Sequence, residues 1–238
     1  MEGLMAHTGA TKLSRDQLVT ILPPEATDTH KPIAHAELIG NVLEALSFRH
    51  INVVRDEYAV SEDGMKLFGV LDLETTFDGC RFSLGIRNAN DKSMRLALTV
   101  GYRVFVCDNM AFHGDFTPVL AKHSKHFNLQ DSLAIGIDRM QRNFEPMRKQ
   151  VESWRGYQLS DAAAKLLIYH AFVEDALEAP KHLARIVHEE YFNPQHPEFA
   201  PRTFWSLSNA FTTAFKTLDP VPQFKATAKL GGFLAAVN

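Results

Sequence analysis

Four arginines, Arg81, Arg87, Arg95 and Arg103, fall on the odd positions of two neighbouring stretches, "CRFSLGIR" and "MRLALTVGYRV", joined by "NANDKS". A guanidinium grips phosphate with two donors or stacks on a base. Between them, on the same parity, stand Gly85, Ala97, Thr99 and Gly101, small enough to leave a shallow groove. At about 3.3 Å per residue, Arg81 and Arg87 lie about 20 Å apart, a span that follows several phosphates of one strand. The expected chemistry is therefore recognition of a polyanion, with Asn88, Asn90 and Lys92 of the turn joining the arginines. The same charges also suit a solvated sheet face, or pairing with Asp56, Asp72 and Glu74, and helices laid over the face would force such pairing. The turn oxygens of Asn88, Asn90, Asp91 and Ser93 have their own competing use, which is bonding to the turn backbone.

A second constellation is made of metal-ligand types. Cys107, His113, His123 and His126 lie within twenty residues, and "HSKH" has a spacing at which two imidazoles share a metal. The pattern stops short of a zinc motif. There is no CxxC, and "HEEYF" at 188 lacks the second histidine of HExxH. No GxSxG, Walker loop or GxGxxG occurs, and no carboxylate spacing marks an acid and base pair. The expectation is a non-catalytic protein that needs no cofactor, with a metal-dependent enzyme as an alternative.

These residues must be positioned by elements of two periods. Turn signals at "SEDG", "FDG" and "NANDKS" divide the middle of the chain into four segments near 51–60, 66–75, 80–87 and 94–106, which predicts an antiparallel meander. In the last two strands Phe82, Leu84, Ile86, Leu96, Leu98, Val100 and Tyr102 alternate with the small and basic residues, so one face is apolar. With the turn centred near Asp91, odd positions become cross-strand neighbours on one face. Ahead of the sheet, Leu38, Ile39, Val42, Leu43 and Leu46 place a helix over about 34–48, and residues 1–33 read as an extended arm with one turn capped by "SRDQ".

Behind it the period becomes helical. Leu133, Ile137, Met140, Phe144, Met147, Val151 and Trp154 describe a long helix from about 128 that Pro146 must kink or divide. Further helices are expected over about 160–178, 181–192 and 203–217. The last carries Phe204, Leu207, Phe211, Ala214, Phe215 and Leu218 on one side for packing or a subunit interface. Residues 219–238, with "DPVP" and "LGGF", are expected to be irregular. The fold class is α+β: a four-stranded antiparallel meander preceded by one helix (together 34–127) and followed by a helical half (128–218).

The chain has 238 residues, 45% hydrophobic and 22% charged, with a formal net charge of -3. It is no polycation, so any nucleic-acid site must be a local patch. Apolar runs such as "AAAKLLIYHAF" are too short and too interrupted to span a membrane, and two cysteines without a leader point to a reducing cytoplasm.

"YAVSEDGMKLFGVLDLE", "LGIRNANDKSMRLALTVGYRVFVCDNMAF" and "TFWSLSNAFTTAFK" together resemble the family called domain of unknown function 932, whose members are described as phage- or plasmid-like. The most specific block runs from Gly85 to Phe112. The family's asparagine-glycine step stands here as Asn109-Met110, so a role that needs glycine there does not carry over. The resemblance implies a setting in bacterial mobile genetic elements and no catalytic residue. By analogy of fold alone, a helix, a sheet meander and more helices are similar to the core of single-strand annealing recombinases. The combined expectation is an accessory protein of a phage, prophage or plasmid that binds single-stranded nucleic acid on the basic face and forms a homo-oligomer. The rival is an interaction module directed at a host protein.

Overall fold

The computed structural model describes residues 10–107, 109–112 and 117–236. Its centre is an antiparallel sheet in which β1 (Ala10–Leu13), β2 (Val53–Ser61), β3 (Lys66–Phe77), β4 (Cys80–Ala89), β5 (Leu96–Val104) and β6 (Met110–Phe112) follow one another in chain order. A seventh strand, β7 (Val119–Ala121), pairs with the other half of β5. The four long strands lie in the segments marked off by the turn signals and pair antiparallel in chain order, with bounds that differ from the expected ones by up to two residues. The sheet is wider than that meander because three strands of three or four residues extend it, each too short to display an alternating period.

The pairing of β4 with β5 sets Arg81 opposite Arg103, Ser83 opposite Gly101, Gly85 opposite Thr99 and Arg87 opposite Ala97. Odd positions do share one face. On the other face, Phe82 stacks on Phe144 at 4.1 Å between ring centroids and Tyr102 meets Trp205 at 5.9 Å. That apolar face is covered by α3 (Leu129–Gly156) and α6 (Phe204–Phe215), with α2 (His35–Ser47), α4 (Asp161–Phe172) and α5 (Leu183–Phe192) completing the main core.

A short α1 (Arg15–Leu18) carries the capping box: the Ser14 hydroxyl accepts from the Gln17 amide, and Gln17 Oε1 accepts from the Ser14 amide at 2.7 Å. The N-terminal arm is thus less free than its composition suggests, because Ala10–Leu13 pairs along β2. α3 runs unbroken through Pro146, whose ring costs one backbone bond in a helix of 28 residues. The segment expected as one helix to 178 ends at Phe172 instead, and Asp175 and Glu178 take left-handed backbone angles just beyond it.

The largest departure is at the C-terminus, where the expected irregular tail forms α7 (Pro220–Ala235). Proline is tolerated in the first turn of a helix, where its missing N–H has no partner to lose, so "DPVP" starts this helix rather than preventing it. Ala226, Leu230 and Leu234 are buried against the main core. Among the described residues, no helix is long and apolar enough to cross a membrane.

Candidate nucleic-acid interface

The basic face of the sheet is not an open groove. Phe112, paired opposite Gly101, lies over the two glycines: a methyl group on Gly85 would approach its ring to 2.7 Å, and one on Gly101 would overlap the Ala111 carbonyl oxygen. Phe224 from α7 stacks on Phe112 at 5.0 Å, and Ala59, Val70 and Met110 complete a second small apolar cluster there. The small residues read as room for a nucleic-acid backbone are instead the seat of an aromatic ring.

The four arginines are divided by this plug. Arg103 is 4% exposed and ion-paired with Asp72 at 2.8 Å and Glu57 at 2.9 Å. Such a desolvated charge is held by its partners and cannot release them to a polyanion, which corrects its expected place in a binding site. Asp72 also accepts the Ser83 hydroxyl at 2.7 Å. Arg81, at the same end, is half-buried over the ring of Phe105 at 5.4 Å. Arg87 is half-buried over Phe224 at 5.7 Å, and desolvation pulls its pKa below the ordinary guanidinium value. Arg95 alone of the four is exposed, beside exposed Lys92 at the β4–β5 turn.

Asn88 and Asn90 are buried, which corrects their assignment to a binding surface. Asn88 Nδ2 donates to the Ile33 carbonyl at 3.0 Å and sits 2.9 Å from His35 Nδ1. Asn90 bonds both polar groups of Ile33: its Oδ1 accepts from the amide and its Nδ2 donates to the carbonyl, each at 3.0 Å. These two side chains fasten the N-terminal arm to the hairpin. Asp91 shapes the turn, accepting from the Ser93 amide at 3.0 Å and hydroxyl at 2.6 Å, and pairs with Lys66 at 3.2 Å.

The arm in turn meets the loop after β7. Lys31 donates its amide to the His123 carbonyl at 3.1 Å, and His30 pairs with Ser124 as an isolated bridge. The His30 ring lies between the His123 carbonyl, 3.0 Å from Nδ1, and the Asn90 carbonyl, 3.1 Å from Nε2. Both neighbours are acceptors, so the neutral ring, with one N–H, donates to one of the two at a time while packing between all three segments.

Where they meet, the hairpin end of the sheet opens into two adjoining clefts that share Ser124. The first, about 470 Å³, is walled by Lys92, Ser93 and Arg95 of the turn, Thr29 and His30 of the arm, and Lys122 and His123 of the loop. The second, about 430 Å³, is lined by Lys31, Lys125, His126 and Phe127, with Glu37 as its one acid. Lys31, Lys92, Arg95, Lys122 and Lys125 are all at the surface. Among the described residues, no carboxylate lies within ion-pair distance of any of them. Lys31, Lys122 and Lys125 are the residues that sequence reasoning missed. Their signal is "AKHSKH", in which the histidines suggest a metal and the lysines pass as ordinary surface charge, and the contribution of Lys31 depends on a contact spanning some ninety residues.

The metal-ligand candidates are dispersed. Cys107 follows the far end of β5, whereas His123 follows β7, which pairs with the turn end of that strand. Nine residues of strand, about 30 Å, separate the two ends. His123 is buried and His126 exposed, and His113 lies outside the described residues. Among those residues no three His, Cys, Asp or Glu side chains converge on a point that would hold a metal ion. Burial, and next the neighbouring His30, lower the pKa of His123, with the Ala89 carbonyl acting in the opposite direction. Burial likewise lowers that of His35, whose Nε2 donates to the Gly64 carbonyl at 3.0 Å.

The fold and clefts define an α+β protein with a cationic recess at one end of an antiparallel sheet. Comparison with family models, curated proteins and solved structures finds no match to this chain.

Proposed function

We propose that this protein is a non-catalytic accessory factor that binds single-stranded nucleic acid along the two basic clefts at the hairpin end of its sheet. The observation that carries the reading is the convergence of Lys31, Lys92, Arg95, Lys122 and Lys125, from three segments distant in sequence, around adjoining recesses with a single acid between them. Lysines and arginine in a concave site favour a polyanion. A recess of this volume admits a flexible single strand, and the second is lined by exposed His126 and by half-buried Phe127, which also packs on the main core. Arg87 stands near the turn and extends the positive field without being free to swing into it. The setting in a phage, prophage or plasmid rests on the resemblance carried chiefly by the block from Gly85 to Phe112.

The test is a fluorescence anisotropy titration with short single-stranded DNA and RNA at two salt concentrations. Binding that weakens steeply with salt supports the reading, because each neutralised phosphate contributes a slope of about -0.7 in log affinity against log salt. Affinity that is absent, or indifferent to salt, removes it.

A second reading, an interaction module, is favoured by α4, where Leu166, Tyr169 and Val173 are about half exposed at helical spacing. It predicts that a Leu166→Asp change abolishes co-purification of a specific protein partner while strand binding is retained.

A further inference from the structure

The two clefts are chemically unequal, and the inference drawn from their inequality rests on the strand-binding reading. The first is walled by three cations, Lys92, Arg95 and Lys122, and no carboxylate lines it. Asp91, the nearest acid in sequence, is turned to Ser93 and Lys66. The second has Lys31 and Lys125 but also Glu37. A phosphodiester within a strand carries one negative charge, whereas a terminal phosphomonoester carries nearly two at neutral pH and three acceptor oxygens. Thr29 and Ser124 add hydroxyls at the rim of the first cleft. Its walls are held in place by the Lys31 amide on the His123 carbonyl and the Asn90 bonds to Ile33, so the cations are gathered before any ligand arrives.

The geometry points to the first cleft as a socket for the terminal phosphate of a strand, with the following nucleotides leading into the second cleft past Ser124. The chemical class of ligand is a single strand ending in a phosphomonoester, and the protein is accordingly a reader of strand ends. No bond is made or broken.

The experiment compares short single-stranded DNAs of one sequence, with a phosphate or a hydroxyl at the 5′ end and the dye at the 3′ end, and the mirror pair with the 3′ end varied. A terminal phosphate at one end should tighten binding about tenfold, equivalent to about 1.4 kcal/mol, and the two pairs identify which end is read. The preference should shrink severalfold in a folded Lys122→Ala variant. Equal affinity for phosphate and hydroxyl strands in both pairs overturns the socket while leaving strand binding intact. A full preference persisting when Lys122 and Arg95 are both alanine also overturns it, since the phosphate then sits elsewhere. Absence of binding by every strand overturns the strand reading and the socket together.

Discussion

Arg103 and Arg95 are equivalent charges on one stretch of sequence, and their surroundings give them opposite roles. Arg103 neutralises Asp72, which is 2% exposed, and Glu57 on two neighbouring strands. Removing it leaves the buried Asp72 carboxylate with the Ser83 hydroxyl but no counter-charge, a change that typically costs about 3–5 kcal/mol. An Arg103→Ala variant should therefore show a large fall in urea unfolding midpoint, whereas Arg95→Ala should leave the midpoint unmoved and weaken strand binding. Gly85 and Gly101 act at the same scale. Alanine at either position meets the Phe112 ring, and at 101 it also meets backbone, which cannot rotate away. Both variants should lose about 1–3 kcal/mol, as overpacked cores do, with Gly101→Ala the worse of the two by denaturant titration. If both glycines tolerate alanine with no loss of stability, the plugged face is wrong.

At the scale of elements, the hairpin end is assembled from an arm, a turn and a loop tied by histidines and asparagines. Asn90→Ala removes both bonds to Ile33; the carbonyl keeps its bond from Asn88, but the buried amide is left unpaired, at about 1–3 kcal/mol. Hydrogen exchange should report faster opening of the arm in that variant. Protonation acts on the same joint. His35 and His123 have pKa values lowered by burial, so the unfolded chain takes up protons near about pH 6.5 that the native state refuses. Their contribution to stability is complete above that pH and is lost as pH falls towards the folded values. Unfolding midpoints should drop between about pH 7.5 and 5.5, less steeply in His35→Gln; an identical slope in the variant would show that His35 has no part in the effect.

The same elements mark what the chain displays of itself. The register of β4 and β5 was legible because a two-residue period runs unbroken on both sides of an Asn- and Asp-rich turn. The stripe from Leu133 to Trp154 was legible for the equivalent reason at helical period. α7 was hidden by prolines and glycines that ordinarily break helices but here stand at its first turn and near its end. β1, β6 and β7 are too short to carry a period. The basic clefts were half legible. Lys92 and Arg95 were named from the hairpin, but Lys122 and Lys125 reach them through the pairing of the three-residue β7 with β5, and Lys31 through bridges between residues about ninety positions apart.

For the whole molecule, the formal net charge of -3 sets the terms on which a polyanion is bound. The body of the protein as a whole repels nucleic acid weakly, so binding in the clefts depends on the local cluster of cations and must be strongly dependent on salt. The most direct measurement is the salt dependence of single-strand affinity for a Lys92→Ala, Arg95→Ala, Lys122→Ala triple variant beside the parent protein, with folding verified by circular dichroism. Binding in the clefts predicts a large loss of affinity and a log-log slope shallower by about 2. A folded triple variant that binds with the parent's affinity and slope would contradict it.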